Sequence, residues 1–222
     1  MIESKPWEWG KLHKEEQKIW LEPSIESYYL LNRWQKENKK EFLDLGCGIG
    51  RHTVLFAQNG FNTSGFDLSE EAINSTKEYA NKNGLNVNLQ KGDMLSLPYK
   101  DNEFDCILCY NVISHSDTEG VLKIIKEINR VLKNDGECYL TLCSKDTWGF
   151  KQEAWPLVDS NTRIRMDEGL EHGIPHFYAD YDLICELFKE FIIEKISHVQ
   201  EFYSKNGKMC NSYHYHVLIR KK

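Results

Sequence analysis

Residues 42–53 read Phe42-Leu43-Asp44-Leu45-Gly46-Cys47-Gly48-Ile49-Gly50-Arg51-His52-Thr53. An apolar run with one acid inside it has the composition of a buried strand. It breaks into three alternate glycines, and Arg51, His52 and Thr53 then open an apolar helix over Val54 to Ala57. A strand that turns tightly into a helix through glycines is a nucleotide-binding corner. Glycine adopts dihedrals closed to other residues and lets backbone N–H groups approach a ligand with no Cβ in the way. The spacing narrows the ligand. A dinucleotide fingerprint, Gly-x-Gly-x-x-Gly, would need a third glycine at 51, where Arg51 stands, and no Gly-Lys-Ser/Thr of a phosphate-cradling loop follows. The competing reading is a tight strand–helix turn with no ligand.

The acid of this corner does not stand alone. Asn62-Thr63-Ser64-Gly65-Phe66 reads as a second strand ending at Asp67 and Leu68, about twenty residues beyond the turn. At that spacing a carboxylate can accept from two ribose hydroxyls. Asp67 could instead cap the next helix, but Ser69 with Glu70 and Glu71 already supplies a cap and charge, which leaves Asp67 for the ribose. A short strand over Val87–Lys91 precedes Gly92, Asp93 and Met94, and Glu103–Asn111 reads as a fourth strand that runs out into Val112, Ile113, Ser114 and His115.

Asp44 with Gly46-Cys47-Gly48-Ile49-Gly50, then Asp67, Asp93 and the Asn111–Val112 strand end, resembles the Rossmann-like (class I) S-adenosylmethionine-dependent methyltransferases, small-molecule type. The resemblance runs from about Phe42 to Leu142. It implies an α/β fold: a three-layer sandwich about a seven-stranded, mostly parallel sheet whose last strand is antiparallel. It implies S-adenosylmethionine as cofactor, S-adenosylhomocysteine as product, and a cofactor site drawn from Asp44, Gly46, Cys47, Gly48, Gly50, Arg51, Asp67, Leu68, Asp93, Met94, Asn111 and Val112. Within it Asp93 would accept from the adenine amino group, which can only donate, while Met94 would give a backbone N–H and an apolar edge.

Composition narrows the class. The chain has 222 residues, 41% of them apolar, and a net charge of −6. This suits one domain, divided as an N-terminal helical arm or lid (1–40), a cofactor core (41–143), a substrate-lid insertion (144–181) and a closing helix and strands (182–222). No run nears the roughly 18 apolar residues of a membrane span, and the polar start, Met1 to Pro6, is unlike a secretory signal. Seven scattered cysteines suit a reducing cytoplasm, the expected location. Cys106 and Cys109, three apart in a strand, point to opposite faces and cannot share a metal or a disulfide. Basic residues are interleaved with acids, so a nucleic-acid partner is not expected. The expected partner is a small-molecule acceptor, without a membrane, in a monomer or homodimer.

Local signals set the remaining elements. Ser24–Glu37 reads as a helix. Ser69–Asn83 is amphipathic, with Ala72, Ile73, Thr76, Tyr79 and Ala80 on one face and Gly84 as its C-terminal stop. Ser116-x-x-Glu119 has a capping-box pattern and opens a helix that buries Val121, Leu122, Ile125, Ile128, Val131 and Leu132, then stops at Asn134-Asp135-Gly136 before a strand over Glu137–Cys143. Periodicity fails from Ser144 to Tyr181, a stretch rich in aromatics and histidines that is expected to wall the substrate site. A helix over Tyr181–Glu190 and two antiparallel strands joined through Lys205-Asn206-Gly207-Lys208 close the chain.

Methyl transfer needs in-line approach, desolvation and sometimes a base. Candidates for the base are His115, His172, His176, His214 and His216. His115 is preferred because it follows the fourth strand at the carboxyl edge. A metal site built from His172, His176, His214 and His216 lacks a recognised spacing, and no metal is expected. Trp7, Trp9 and Trp20 either stack over a ligand or pin the arm to the sheet. Neither the Asn/Asp-Pro-Pro-Tyr/Phe signature of amino-group methylation nor a paired-glutamate loop is present, which favours a small acceptor. An RNA- or protein-modifying methyltransferase and a non-catalytic cofactor-binding protein remain alternatives.

Overall fold

A computed structural model of the protein describes residues 2–11, 14–205 and 208–222, with side chains described at all of these except 10, 14–17, 204, 205 and 208. In chain order, a short 3₁₀ turn at Trp9–Lys11 is followed by α1 (Lys14–Leu21), α2 (Ile25–Lys36), β1 (Glu41–Leu45), α3 (Arg51–Gln58), β2 (Asn62–Asp67), α4 (Glu70–Lys82), β3 (Asn88–Lys91), β4 (Phe104–Cys109), α5 (Thr118–Val131), β5 (Leu132–Ser144), β6 (Leu157–Asp159), β7 (Thr162–Ile164), β8 (Pro175–Ala179), α6 (Tyr181–Leu187), β9 (Phe191–Lys205) and β10 (Lys208–Lys221). No helix among the described residues is long and apolar enough to cross a membrane.

The sheet core has strand order β3-β2-β1-β4-β5-β10-β9. Strands β1 to β5 are parallel, and β10 inserts antiparallel to both β5 and β9. This is the expected seven-stranded arrangement, but three further strands raise the total to ten. They come from the stretch where periodicity fails. β6 and β7 form a small antiparallel sheet with β8, and β8 joins the main sheet through Cys143 and Ser144. Strands of three residues are too short to print an alternation in the sequence, so the segment is more ordered than its pattern implies.

Both faces of the sheet are buried, in two apolar layers. One holds the α5 residues Val121, Ile124, Ile125, Ile128 and Val131 against Leu43, Leu45, Ile107 and Leu140. The other packs Leu30, Leu31 and Trp34 of α2 with Phe42, Phe56 and Phe61, and the Phe42 and Phe56 rings stack at 3.9 Å. Each fully buried side chain of this size contributes about 1.5–3 kcal/mol. Cys106 lies in the second layer and Cys109 in the first, the opposite faces expected of residues three apart.

Several local expectations change. The N-cap of α5 is Asp117, whose Oδ1 accepts from Gly120 N–H at 2.8 Å, not Ser116. Leu122 is exposed and Ile124 is buried in its place, because the i, i+3, i+4, i+7 face runs through 121, 124, 125 and 128. The helix ends at Val131 and β5 begins at once. Asn134-Asp135-Gly136 forms an irregularity inside the strand, with Asp135 left-handed at φ 61°, while the pairing with β4 skips from Phe104↔Leu132 to Cys106↔Glu137. Helix α4 ends as expected: Gly84 is left-handed at φ 66°, and Leu85 N–H and Gly84 N–H bond the Ala80 and Asn81 carbonyls. Asn206 and Gly207 of the expected β9–β10 turn lie outside the described residues.

A buried ion pair ties α2 to the sheet. Glu137, 1% exposed at its side chain, accepts from Arg33 Nε at 2.9 Å, from Arg33 Nη2 and from Trp34 Nε1 at 2.8 Å. Burial pushes the Glu137 carboxyl up, but the Arg33 and Trp34 donors outweigh it and hold the group below its ordinary 4.5. A depressed folded pKa stabilises above the unfolded value and is lost as pH falls through the folded one. Arg33→Ala leaves a carboxylate unpaired inside the fold and should cost about 3–5 kcal/mol at neutral pH by urea denaturation. The gap to the parent should narrow as the pH drops below 4.5; a constant gap would show that Glu137 is not the partner that matters.

Candidate functional site

The glycine corner is held from three sides. Gly46 and Cys47 N–H both donate to the Phe66 carbonyl, at 2.7 and 3.0 Å, which ties the turn to the end of β2. Gly48 N–H donates to Asp67 Oδ2 at 2.9 Å, and Thr76 of α4 donates its hydroxyl to the Gly48 carbonyl at 2.8 Å. Gly46, Gly48 and Gly50 all have positive φ, at 78°, 53° and 92°. A Cβ at Gly46 would fall 2.5 Å from Val112, and one at Gly48 would fall 2.9 Å from the Trp9 ring. Space and dihedral both demand glycine at these two positions.

The expectation that Asp67 is free of the turn and the helix start is corrected, because both of its carboxylate oxygens accept from backbone N–H groups. Its Oδ1 accepts from Ser69 N–H at 2.8 Å while Oδ2 holds Gly48. Ser69 is still the cap of α4, its hydroxyl accepting from Ala72 N–H at 3.3 Å. Burial pushes Asp67 up in pKa, against the pull of the Ser69 and Gly48 N–H donors. Asp44 lies underneath: burial pushes it up to about 6, although the Thr53 hydroxyl donates to its Oδ2 at 2.7 Å.

A cavity opens over this corner. Ten of the twelve expected cofactor residues line it: Gly46, Cys47, Gly48, Arg51, Asp67, Leu68, Asp93, Met94, Asn111 and Val112. Asp44 and Gly50 do not; they support the turn from behind, Gly50 against Thr76. Asn111 is a left-handed non-glycine residue, φ 57°, at the strand end. Thr141 locks it, accepting from Asn111 N–H and donating to Asn111 Oδ1, both at 2.8 Å. Strained backbone fixed from a neighbouring strand is characteristic of ligand-facing positions. The Arg51 guanidinium lies over the Trp20 and Tyr110 rings at 5.6 and 5.5 Å.

The N-terminal arm roofs the cavity. Trp7, Trp9 and Trp20 pack on one another with centroids 5.2–5.8 Å apart, and all three line it. The arm is fastened at its far end by Ile2 N–H donating to Asp117 Oδ2 at 2.6 Å, and by Lys5 Nζ donating to the Gly173 carbonyl at 3.2 Å. Trp7 Nε1 is buried with no hydrogen-bond partner, an unmet donor at the boundary with a second cavity.

That second cavity shares Trp7, Trp20, Asn111 and His115 with the first. The 144–181 segment walls it with Trp148, Trp155, Arg165, Glu171, His176 and Tyr178, and β9 and β10 add Glu201, Tyr203 and His214. Trp148 Nε1 donates to the Tyr203 hydroxyl at 2.6 Å. His115 and His176 meet edge to face at 4.8 Å, and Glu171 Oε1 lies 3.5 Å from His115 Nε2 and 3.6 Å from His176 Nε2. Burial, with His176 and Arg165 nearby, holds His115 well below 6.5. Burial also lowers His176 and His214, each to about 4.

The five candidate histidines thus separate. His115, His176 and His214 face the second cavity. His172 is exposed in a loop, and His216 pairs its Nδ1 with the Tyr139 hydroxyl at 2.7 Å. Sequence reasoning missed Glu171 and Arg165. Their only local mark is the spacing Glu171-x4-His176, which means nothing until β8 carries His176 beside His115.

Residues 42–136 match the family model described as a methyltransferase domain. An uncharacterised protein of Methanocaldococcus jannaschii is 38% identical over 111 residues, 50% of this chain and 45% of that one. The ubiquinone biosynthesis O-methyltransferase of Rickettsia felis is 30% identical over 142 residues, 64% of this chain and 56% of the relative. The chain therefore spans about half the length of these relatives. A crystal structure of an S-adenosylmethionine-dependent methyltransferase from Methanosarcina mazei superposes with a TM-score of 0.73 at 20% identity, covering 90% of this chain and 98% of the other; that likeness speaks to the fold. The domain match over the glycine corner and the strand order of the sheet together support a Rossmann-like, class I S-adenosylmethionine-dependent methyltransferase family for this chain.

Proposed function

We propose that the protein methylates a small-molecule acceptor held in the second cavity, using S-adenosylmethionine held in the first. The observation that carries this reading is the junction of the two cavities at Trp7, Trp20, Asn111 and His115. The residues present fit the cofactor. Gly46 and Gly48 leave room that a Cβ would fill, Asp67 and Asp93 offer acceptors to ribose hydroxyls and an adenine amino group, and Met94 and Leu68 offer apolar edges to the ring. Asn111 lines both cavities, and Arg51 and Val112 line the first. Bound there, S-adenosylmethionine supplies a methyl group on a positively charged sulfur.

The chain's own work is orientation and exclusion of water. Trp7, Trp9 and Trp20 close the roof, and the aromatic walls of the second cavity give a flat apolar acceptor a seat. A cavity walled by tryptophans, tyrosines and histidines in a chain of net charge −6 favours a small molecule over a polyanion. His115 touches both cavities, but its lowered basicity suits it poorly to acting as a lone base. We assign it to the acceptor together with Glu171 and His176.

Incubation of a cell extract with methyl-tritiated S-adenosylmethionine should put label in the small-molecule fraction; label found in RNA or protein would contradict the reading. Asp67→Ala should weaken S-adenosylmethionine and S-adenosylhomocysteine alike by about ten- to hundredfold in calorimetry, the loss of hydrogen bonds to a charged group worth about 1.5–3 kcal/mol. An unaffected affinity would mean that Asp67 serves the turn alone. Gly46→Ala should weaken both by about tenfold or more through backbone strain of about 1–3 kcal/mol and the clash with Val112. Gly84→Ala is equally left-handed but open to solvent. It should lower thermal stability and leave both affinities unchanged.

A further inference from the structure

His115, Glu171 and His176 are the one cluster among the described residues whose donor atoms converge as metal ligands do, all within 4.8 Å of one another. The separations of 3.5 and 3.6 Å between Glu171 Oε1 and the two Nε2 atoms are long for hydrogen bonds. They match the roughly 3.3–3.6 Å between neighbouring ligands that each lie about 2.0–2.2 Å from a shared ion. We propose that these three side chains bind one divalent transition-metal ion of the zinc type, at the junction of the two cavities, with an open coordination position toward the acceptor.

The surroundings are those of a prepared site. His176 Nδ1 lies 3.1 Å from the Ile174 carbonyl, so Nδ1 carries the proton and the Nε2 lone pair is left for an ion. Arg165 takes the other oxygen, Oε2, of Glu171 and is itself held by Asp167 at 2.6 Å, which orients the carboxylate with Oε1 inward. The two contributing segments are tied together, since Phe177 N–H donates to the Ser114 carbonyl at 2.8 Å beside both histidines.

The donor set selects the ion. Two imidazoles and a carboxylate suit zinc and its neighbours over magnesium or calcium, which prefer all-oxygen sites. Three protein ligands with a vacant fourth position are the arrangement of catalytic rather than structural zinc. All three ligands line the acceptor cavity, so the vacant position suits an acceptor bearing an ionisable oxygen or sulfur, whose pKa an ion there would lower. This deepens the methyltransferase reading and rests on it for the acceptor, but the ion site itself stands on geometry alone.

The test is a titration of chelator-stripped protein with Zn²⁺ by calorimetry and with Co²⁺ by visible absorption. One equivalent of each should bind, and Mg²⁺ should not compete. His176→Ala and Glu171→Gln should each weaken Zn²⁺ binding by about tenfold or more, while His172→Ala, outside the cluster, leaves it unchanged. Neither His176 nor Glu171 lines the cofactor cavity, so both variants should keep parental affinity for S-adenosylhomocysteine, which also shows that they fold. Absence of saturable Zn²⁺ binding, or binding indifferent to both variants, would overturn the proposal. Failure of the methyltransferase reading would show separately, as a parent protein that binds Zn²⁺ but not S-adenosylhomocysteine.

Discussion

Asp67 at the end of β2 accepts from Gly48 N–H at 2.9 Å, and on that bond the geometry of the whole ligand edge depends. The three left-handed glycines would be a floppy turn by themselves, since glycine loses more freedom on ordering than any other residue. Phe66 and Asp67 from β2 and Thr76 from α4 fix the turn from the strand beside it and the helix above it. Once it is fixed, Val112 can pack against Gly46 with no Cβ between them, and the end of β4 is drawn to the same edge. His115 follows from there. The first cavity and the histidine at its junction with the second are thus positioned by one set of backbone bonds.

The two added segments build a roof and a wall over this edge. A bare parallel sheet ends in an open crevice, where water would compete for every polar group. Here the N-terminal arm lays its tryptophans over the crevice and is fastened to Asp117 and Gly173, while the 144–181 segment builds a second wall anchored by β8 on β5. Because Lys5 reaches the Gly173 carbonyl, roof and wall touch directly. The unpartnered Trp7 Nε1 at the boundary is a donor that an acceptor could satisfy.

The parts of this site that a reader of the sequence can find are those written locally. The glycine corner, Asp67, the α4 stop at Gly84 and the alternation of strand and helix all leave marks within a few residues, and the strand order follows from the family they resemble. What escaped is long-range or short in extent. Glu137 looks like an acid at a strand start until Arg33, 104 residues away, is seen against it. Glu171 and Arg165 sit in a stretch with no periodicity, and only the pairing of β8 carries them to His115. Capping by Asp117 rather than Ser116 is a one-residue shift that pattern alone does not resolve. The same limit explains why four histidines in the C-terminal half suggested a cluster of their own. Among them only His176 joins His115 in such a cluster, and His115 comes from the loop after β4.

Nucleotide specificity at the glycine corner is the most direct measure of the account. Calorimetric titration of the protein with S-adenosylhomocysteine, NAD and ATP should give a dissociation constant of micromolar order or tighter for the first, about −8 kcal/mol or better, and far weaker binding for the other two. Comparable binding of NAD would contradict the reading of Gly46-x-Gly48-x-Gly50 and Asp67 on which the assignment of the site stands.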